Sequence, residues 1–274
     1  MKTYDIVLTI AGSDSCGGAG VQADIKTISA NGCYAASAIT AITVQNTVGV
    51  ISVEGVSPAI IEGQIDAVLS DTGAKAIKIG MLHSSEVVHS VAKMLRKYGA
   101  RNIVLDPVMV STSGHRLIEE EAIQTLQDEL IPLARIITPN IPEAEILFGE
   151  KIKNQTDLPH IAQALARRYN LSVYLKAGHL TEDLLTDIFY NNETGDTIEL
   201  NSHRLATKNT HGTGCTLSSA IASMLAKGYE LNDAAQKAQA YIEKAIIHGA
   251  DYAIGQGHGP VHHFWNLWGK QENN

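Results

Sequence analysis

Two hydrophobic rhythms take turns along this chain. DIVLTIAG (5–12) is an unbroken apolar run ending in small residues, the pattern of a strand buried on both faces of a sheet. GVQADIKTISANG (20–32) then shifts to helical spacing and stops at a glycine. The alternation repeats. AASAITAITVQ (35–45) is strand-like, VGVISVEGVSP (48–58) is hairpin-like and AIIEGQIDAVLSD (59–71) has an amphipathic helical period. Strands are expected at 75–80, 102–108, 134–140 and 172–178, with helices over 85–99, 119–132 and 157–170 and a helix start at 141–149. Residues 184–202 alternate about a Glu-Thr-Gly-Asp turn and predict an antiparallel hairpin. Helices over 216–228 and 233–249 follow. Strands alternating with helices predict a mostly parallel sheet covered on both faces. Nothing in the composition marks a boundary, so one α/β domain over 1–274 is expected.

Composition narrows the function. Of the 274 residues, 45% are hydrophobic, enough for a large core. The 21 Lys and Arg against 29 Asp and Glu give a net charge of −8, which argues against nucleic-acid or anionic-membrane partners. Aromatics are only 5%, too few for stacking platforms on single strands. No apolar run reaches the about 18 residues of a membrane span. The first residues lack a signal-like apolar stretch and read as a first strand. Cys16, Cys33 and Cys215 have no metal-like spacing, which suggests a reducing, cytoplasmic setting.

In a parallel sheet the chemistry gathers at the carboxyl ends of the strands, so the loops there carry the argument. NTHGTGC (209–215) has glycines at 212 and 214 that permit close backbone approach, and a helix follows. Its amides could cradle an anion, or the segment could be a plain turn. No GxxxxGK[ST] loop occurs anywhere in the chain. Cys215 reads either as a small buried hydrophobe or as a thiol activated by the helix dipole. His211, four residues earlier, raises the alternative of a thiol hydrolase. AGSDSCGGAG (11–20) matches a dinucleotide fingerprint only loosely. Asp24 is either a solvated acid favoured by the helix dipole or an acceptor for a substrate hydroxyl. In TVQN (43–46), the Gln45 amide could pair with a ring nitrogen and exocyclic amine, or cap a turn. Asp106 and Glu143 could serve Mg²⁺, which needs only one or two carboxylates when phosphates are present; each could equally be a helix-start acid. Asn140 could be a helix cap. Lys176 ends a strand interior to the sheet, where an anionic partner is expected. His258, His262 and His263 read as surface or packing residues.

Taken together, NTHGTGC, TPNIPE (138–143), LKAGH (175–179), AGSDSCGGAGVQADIKT (11–27), QNTVGV (45–50), KIGML (78–82) and LDPVM (105–109) resemble the hydroxymethylpyrimidine/phosphomethylpyrimidine kinases of thiamine biosynthesis, in the ribokinase superfamily. The resemblance runs from about Leu8 to GHGPVHHFW (257–265). It implies a ribokinase-like three-layer sandwich and transfer of the ATP γ-phosphoryl group to 4-amino-5-hydroxymethyl-2-methylpyrimidine, then to its monophosphate. It implies that Gly212, Thr213, Gly214 and Cys215 form an anion hole, with Lys176 neutralising the transferring phosphate. Asp106 and Glu143 would support Mg²⁺. Asn140, Lys176, Gly178 and Thr207 would meet the nucleotide. Gly12, Asp24, Val44, Gln45, Met81, Val108 and His211 would line the pyrimidine pocket. Related kinases are often homodimers, and a homodimer is expected. The superfamily's usual turn ends in Asp, and this chain departs from it with Cys215. The runner-up is a pyridoxal kinase of the same superfamily, whose substrate lacks the 4-amino group.

Overall fold

The computed structural model describes residues 2–109, 118–178, 180 and 182–268. In chain order the elements are β1 (Ile6–Asp14), α1 (Gly20–Ala30), β2 (Tyr34–Asn46), β3 (Gly49–Gly55), α2 (Pro58–Asp71), β4 (Ala76–Ile79), α3 (Ser85–Lys97), β5 (Ile103–Leu105) and α4 (Glu120–Thr125). Then come β6 (Ile136–Ile137), α5 (Ile141–Phe148), α6 (Leu158–Tyr169), β7 (Ser172–Leu175), β8 (Leu184–Tyr190), β9 (Thr197–His203), α7 (Thr213–Ala226) and α8 (Leu231–Gly249). The nine strands form one sheet in the order β3-β2-β1-β4-β5-β6-β7-β8-β9. From β2 to β7 the pairing is parallel. β3 folds back antiparallel on β2, and the β8–β9 hairpin adds antiparallel to β7.

The period of two sorts the strand residues onto two cores. Leu8, Ile10, Ile77, Ile79, Ile103, Leu105, Ile137, Val173 and Leu175 pack with α2 to α6 on one face. Val7, Ala76, Val104, Ile136 and Tyr174 pack with α1, α7 and α8 on the other. Both faces are covered, which is why the strands read as continuous apolar runs.

Two boundaries differ from the sequence expectation. The helix expected over 119–132 is α4 followed by a π turn (Leu126–Leu130) and a 3₁₀ turn (Ile131–Leu133). Pro132, without an N–H, cannot continue the α ladder. The helix expected from 216 begins at Thr213. Gly212, at φ +80°, is its N-cap, so Gly214 and Cys215 belong to the first turn. Among the described residues no helix is long and apolar enough to cross a membrane.

Candidate active site

A cavity of about 920 Å³ opens over the carboxyl ends of the parallel strands, the place where such sheets hold ligands. Gly12, Gln45, Met81, Asp106, Val108, Asn140, Glu143, Lys176, Gly178, Thr207, His211, Gly212, Thr213, Gly214 and Cys215 all line it. Residues up to 203 positions apart in sequence therefore share one wall because the strand order brings their loops together. His179 of LKAGH lies outside the described residues.

Two expected pocket residues fall elsewhere. Val44 is 52% exposed and lies between Thr43 and Gln45, which face the cavity. The strand period turns its side chain to the opposite face. Asp24 is fully buried beneath the cavity floor, neither solvated nor free for a substrate. Its carboxylate accepts from Lys78 Nζ at 2.8 and 2.9 Å, Thr9 Oγ1 at 2.6 Å and Ser219 Oγ at 2.8 Å. Lys78 is also fully buried and reaches the cavity. Burial is the largest influence and opposes its charge, but the Asp24 carboxylate, with its hydrogen bond and the Asp106 charge added, keeps it an ammonium. Gly80 accommodates it, since a Cβ there would sit 2.8 Å from Lys78 Nζ.

The glycine turn has a steric reason. A Cβ on Gly212 would lie 1.8 Å from the Gly18 carbonyl oxygen, and its φ of +80° already disfavours other residues. Thr216 ties the turn down, donating its N–H (2.9 Å) and hydroxyl (2.8 Å) to the Gly212 carbonyl. The first-turn amides of α7 lack intrahelical acceptors and sit at the positive end of the helix dipole. A Cβ on Gly214 would stand 3.1 Å from Lys176 Nζ and 3.4 Å from Asp106 Oδ2. Glycine thus leaves the space between the turn and this ion pair open.

Lys176 Nζ donates to Asp106 Oδ1 at 2.9 Å, and Thr138 Oγ1 donates to the same oxygen at 3.0 Å. Burial works against the lysine's charge, yet Asp106 and Glu143 together hold its pKa above the usual range. Asn140 and Glu143 form a capping box at the start of α5: Asn140 Oδ1 accepts the Glu143 N–H at 2.9 Å, and Glu143 Oε2 accepts the Asn140 N–H at 2.8 Å. The cap reading of Asn140 therefore holds alongside its place in the cavity wall. Burial, reinforced by Asp106, pushes the Glu143 carboxyl up to about 7 despite Lys176.

Cys215 corrects the expectation of a dipole-activated thiolate. Burial pushes its thiol up to about 11, and the Asp24 and Asp106 carboxylates add to that. The Lys78 ammonium and the Gly20 amide offset only part of it. At neutral pH the group is a thiol. His211 is likewise committed elsewhere, with Nε2 2.8 Å from Asp14 Oδ2, which leaves no Cys-His hydrolase pair. Lys78, Asp14 and Asp187, which accepts the Ala177 N–H at 2.7 Å, are charged cavity residues that the sequence reading did not single out. The signal for Lys78 was present, because a lysine at an alternate position of a doubly covered strand must be buried.

A family model described as phosphomethylpyrimidine kinase matches residues 14–262. The hydroxymethylpyrimidine/phosphomethylpyrimidine kinase of Rhizobium meliloti is 49% identical over 264 residues, covering 96% of this chain and 98% of the relative. The chain belongs to the phosphomethylpyrimidine kinase family. Among solved structures, a phosphomethylpyrimidine kinase from Clostridium difficile superposes with a TM-score of 0.77 at 45% identity, covering 88% of this chain and 99% of the other. An ADP complex of Bacillus subtilis pyridoxal kinase superposes with a TM-score of 0.86 at 34% identity, over 95% and 98% of the two chains. The fold is ribokinase-like. Within this phosphomethylpyrimidine kinase family chain, the Gly212–Cys215 turn and the Lys176–Asp106 pair stand at the middle of the sheet edge. The amide of Gln45 lies toward β2, and the apolar wall of Leu205, Ile242 and Ile246 lies toward β9 and α8.

Proposed function

We propose that this chain transfers the γ-phosphoryl group of ATP to 4-amino-5-hydroxymethyl-2-methylpyrimidine and then to the resulting monophosphate, acting in thiamine biosynthesis. The observation that carries this reading is one cavity in which Gln45, the Gly212–Cys215 turn and the Lys176–Asp106 pair follow one another along the sheet edge. Phosphoryl transfer asks for positioning and charge stabilisation more than covalent chemistry. Gln45, Met81, Val108 and His211 hold the pyrimidine over Gly12, where a Cβ would press within 3.1 Å of Met81 Sδ. Asn140, Gly178 and Thr207 meet the nucleotide, and the apolar side chains of α8 take its base. The first-turn amides of α7 and Lys176 receive the charge that spreads over the transferring oxygens.

Asp106 and Glu143 are the carboxylates that would hold Mg²⁺. They are hard oxygen donors at the cavity wall, and among the described residues no cluster of three ligating side chains competes with them. Such a sparse donor set fits Mg²⁺, whose other positions go to phosphates and water. The ion would neutralise phosphate charge. In the first transfer the thiolate form of Cys215, a minor fraction at neutral pH, takes the alcohol proton as charge develops on the oxygen. In the second transfer Cys215 remains a thiol.

The proposed unit is a single domain over 1–274, in the cytoplasm, assembled as a homodimer. The β2–β3 face supports the dimer, with Ile42, Val44, Val48 and Ile51 each more than half exposed. Light scattering should give twice the chain mass for the native protein and a shift toward the monomer for Ile51→Lys; a native monomer sinks this part of the reading. The test of the activity is ADP release with hydroxymethylpyrimidine, its monophosphate and pyridoxal in parallel. Both pyrimidines should support turnover, and turnover on pyridoxal alone would overturn the assignment.

A further inference from the structure

The hydrogen bonds around Gln45 do not balance if its amide nitrogen faces His211. Asp14 is buried, yet it is a carboxylate: burial alone would raise its pKa, but the His211 hydrogen bond and the Ala19 and Cys16 amides draw it below the usual range. It also accepts the Gly18 N–H at 3.0 Å, the Ala19 N–H at 2.8 Å and the Cys16 N–H at 2.8 Å. An ionised carboxylate only accepts. His211 Nε2, 2.8 Å from Asp14 Oδ2, must therefore carry a proton. The nitrogen of Gln45 lies 3.3 Å from that same Nε2, so two donors would face each other. On the other side of the amide, the oxygen lies 3.2 Å from Thr43 Oγ1. That hydroxyl has a single proton, and the Ser13 carbonyl takes it at 2.8 Å. Two acceptors would face each other there. Exchanging the amide oxygen and nitrogen cures both faults: the NH2 then donates to Thr43 Oγ1, and the oxygen shares the Nε2 proton with Asp14 Oδ2.

We propose that Asp14 and His211 act as positioning residues that fix the polarity of the Gln45 amide, with its oxygen toward His211 and its NH2 toward Thr43. In this arrangement the amide offers a ligand one free acceptor and one free donor in a set order. The acceptor on the His211 side takes the exocyclic amine of an aminopyrimidine. The donor on the Thr43 side meets the adjacent ring nitrogen. The order is rigid because its supports are. Ser15 Oγ clamps the Gln45 backbone, accepting its N–H at 2.8 Å and donating to its carbonyl at 2.7 Å. The His211 ring lies against Gly18, where a Cβ would be 2.4 Å from the ring, and its backbone N–H is held by the Gly259 carbonyl at 3.0 Å. Asp14 is locked by its three amides. The specificity for the amine would therefore be set by residues behind the amide that reads it.

This inference deepens the pyrimidine kinase reading and rests on it for the ligand, but not for the amide. The first measurement is the ¹⁵N spectrum of the histidine-labelled native protein, with His211 assigned by the signal lost in His211→Leu. A protonated Nε2 is expected; a bare Nε2 with the proton on Nδ1 overturns the relay, since Gln45 NH2 could then donate to it. The second compares the native protein and His211→Leu on hydroxymethylpyrimidine and its analogue lacking the 4-amino group. The preference for the amino compound in KM should fall by about tenfold while the KM for ATP moves by less than twofold. An unchanged preference overturns the proposed role even if Nε2 is protonated. If the native protein turns over neither pyrimidine, the kinase assignment and the aminopyrimidine part of this inference fall together. The spectrum still decides the amide polarity, and it needs no variant that might misfold apart from the assignment.

Discussion

The chemistry of the second phosphoryl acceptor explains a thiol at position 215 better than the chemistry of the first. An alcohol must lose a proton, so a base helps; a phosphate monoester is already anionic and is repelled by fixed negative charge. Burial pushes Cys215 up to about 11, so the uncharged thiol is the form that would stand beside a bound monophosphate, and only the small thiolate fraction could take a proton from the alcohol. For Cys215→Asp we expect the second transfer to fall by about tenfold or more while the first retains most of its rate. Equal rates for the two transfers in that variant would remove the repulsion argument. The protonation state gives a second handle. In the native protein the first transfer should quicken as pH rises from neutral toward the thiol's range, because the thiolate fraction grows, and Cys215→Ala should flatten that rise. A native profile already flat between pH 7 and 9 would exclude Cys215 as the proton acceptor.

One buried ion pair ties four elements together beneath the cavity. Lys78 on β4, Asp24 on α1, Thr9 on β1 and Ser219 on α7 are all fully buried and share the Asp24 carboxylate. Removing one charge from such a pair strands the other, at a cost of about 3–5 kcal/mol. Denaturant unfolding of Lys78→Met should show a loss of that size, and Lys78→Met with Asp24→Leu should recover a good part of it. If the double variant is no more stable than the single one, the pair is not the source of the loss. This network also marks the limit of what the sequence disclosed. The doubly covered strands were plain from their apolar runs, and the hairpins from their turns. The loops that build the cavity could be picked out because each follows a strand. The start of α7 was misplaced because Gly214 reads as loop, although only Gly212 needs a positive φ. Asp24 lies on the buried face of α1, not on its solvated side. Val21, Asp24 and Ile28 recur at helical spacing, and all three are buried. Val44 was assigned to the pocket against the strand period that places Thr43 and Gln45 there.

At the scale of the whole molecule, the C-terminal segment closes the binding region from behind. His258 N–H donates to the Thr47 carbonyl at 2.8 Å, and Pro260 pairs with His211. His263 is buried against α7, with Nε2 3.2 Å from Thr216 Oγ1. Thr216 spends its own proton on the Gly212 carbonyl, so a neutral His263 must supply the N–H between them. Burial, with minor help from Lys26, lowers its pKa to about 3. Above the ordinary histidine range of about 6.5 the residue is neutral in both folded and unfolded chains and has no effect on the pH dependence. Below it, the unfolded chain takes up a proton that the folded chain refuses. Stability is then lost at about 1.4 kcal/mol per pH unit, and the loss continues until pH approaches 3. Between pH 6.5 and 5 this amounts to about 2 kcal/mol. His263→Gln, neutral at every pH, should be spared that share, so its Tm should fall by about 4 °C less than that of the parent on going from pH 7.5 to 5. Asp14, Glu143 and Asp187 also titrate in acid, but they are common to both proteins and cancel in the comparison. If parent and variant lose the same Tm over this interval, His263 carries no proton-linked penalty.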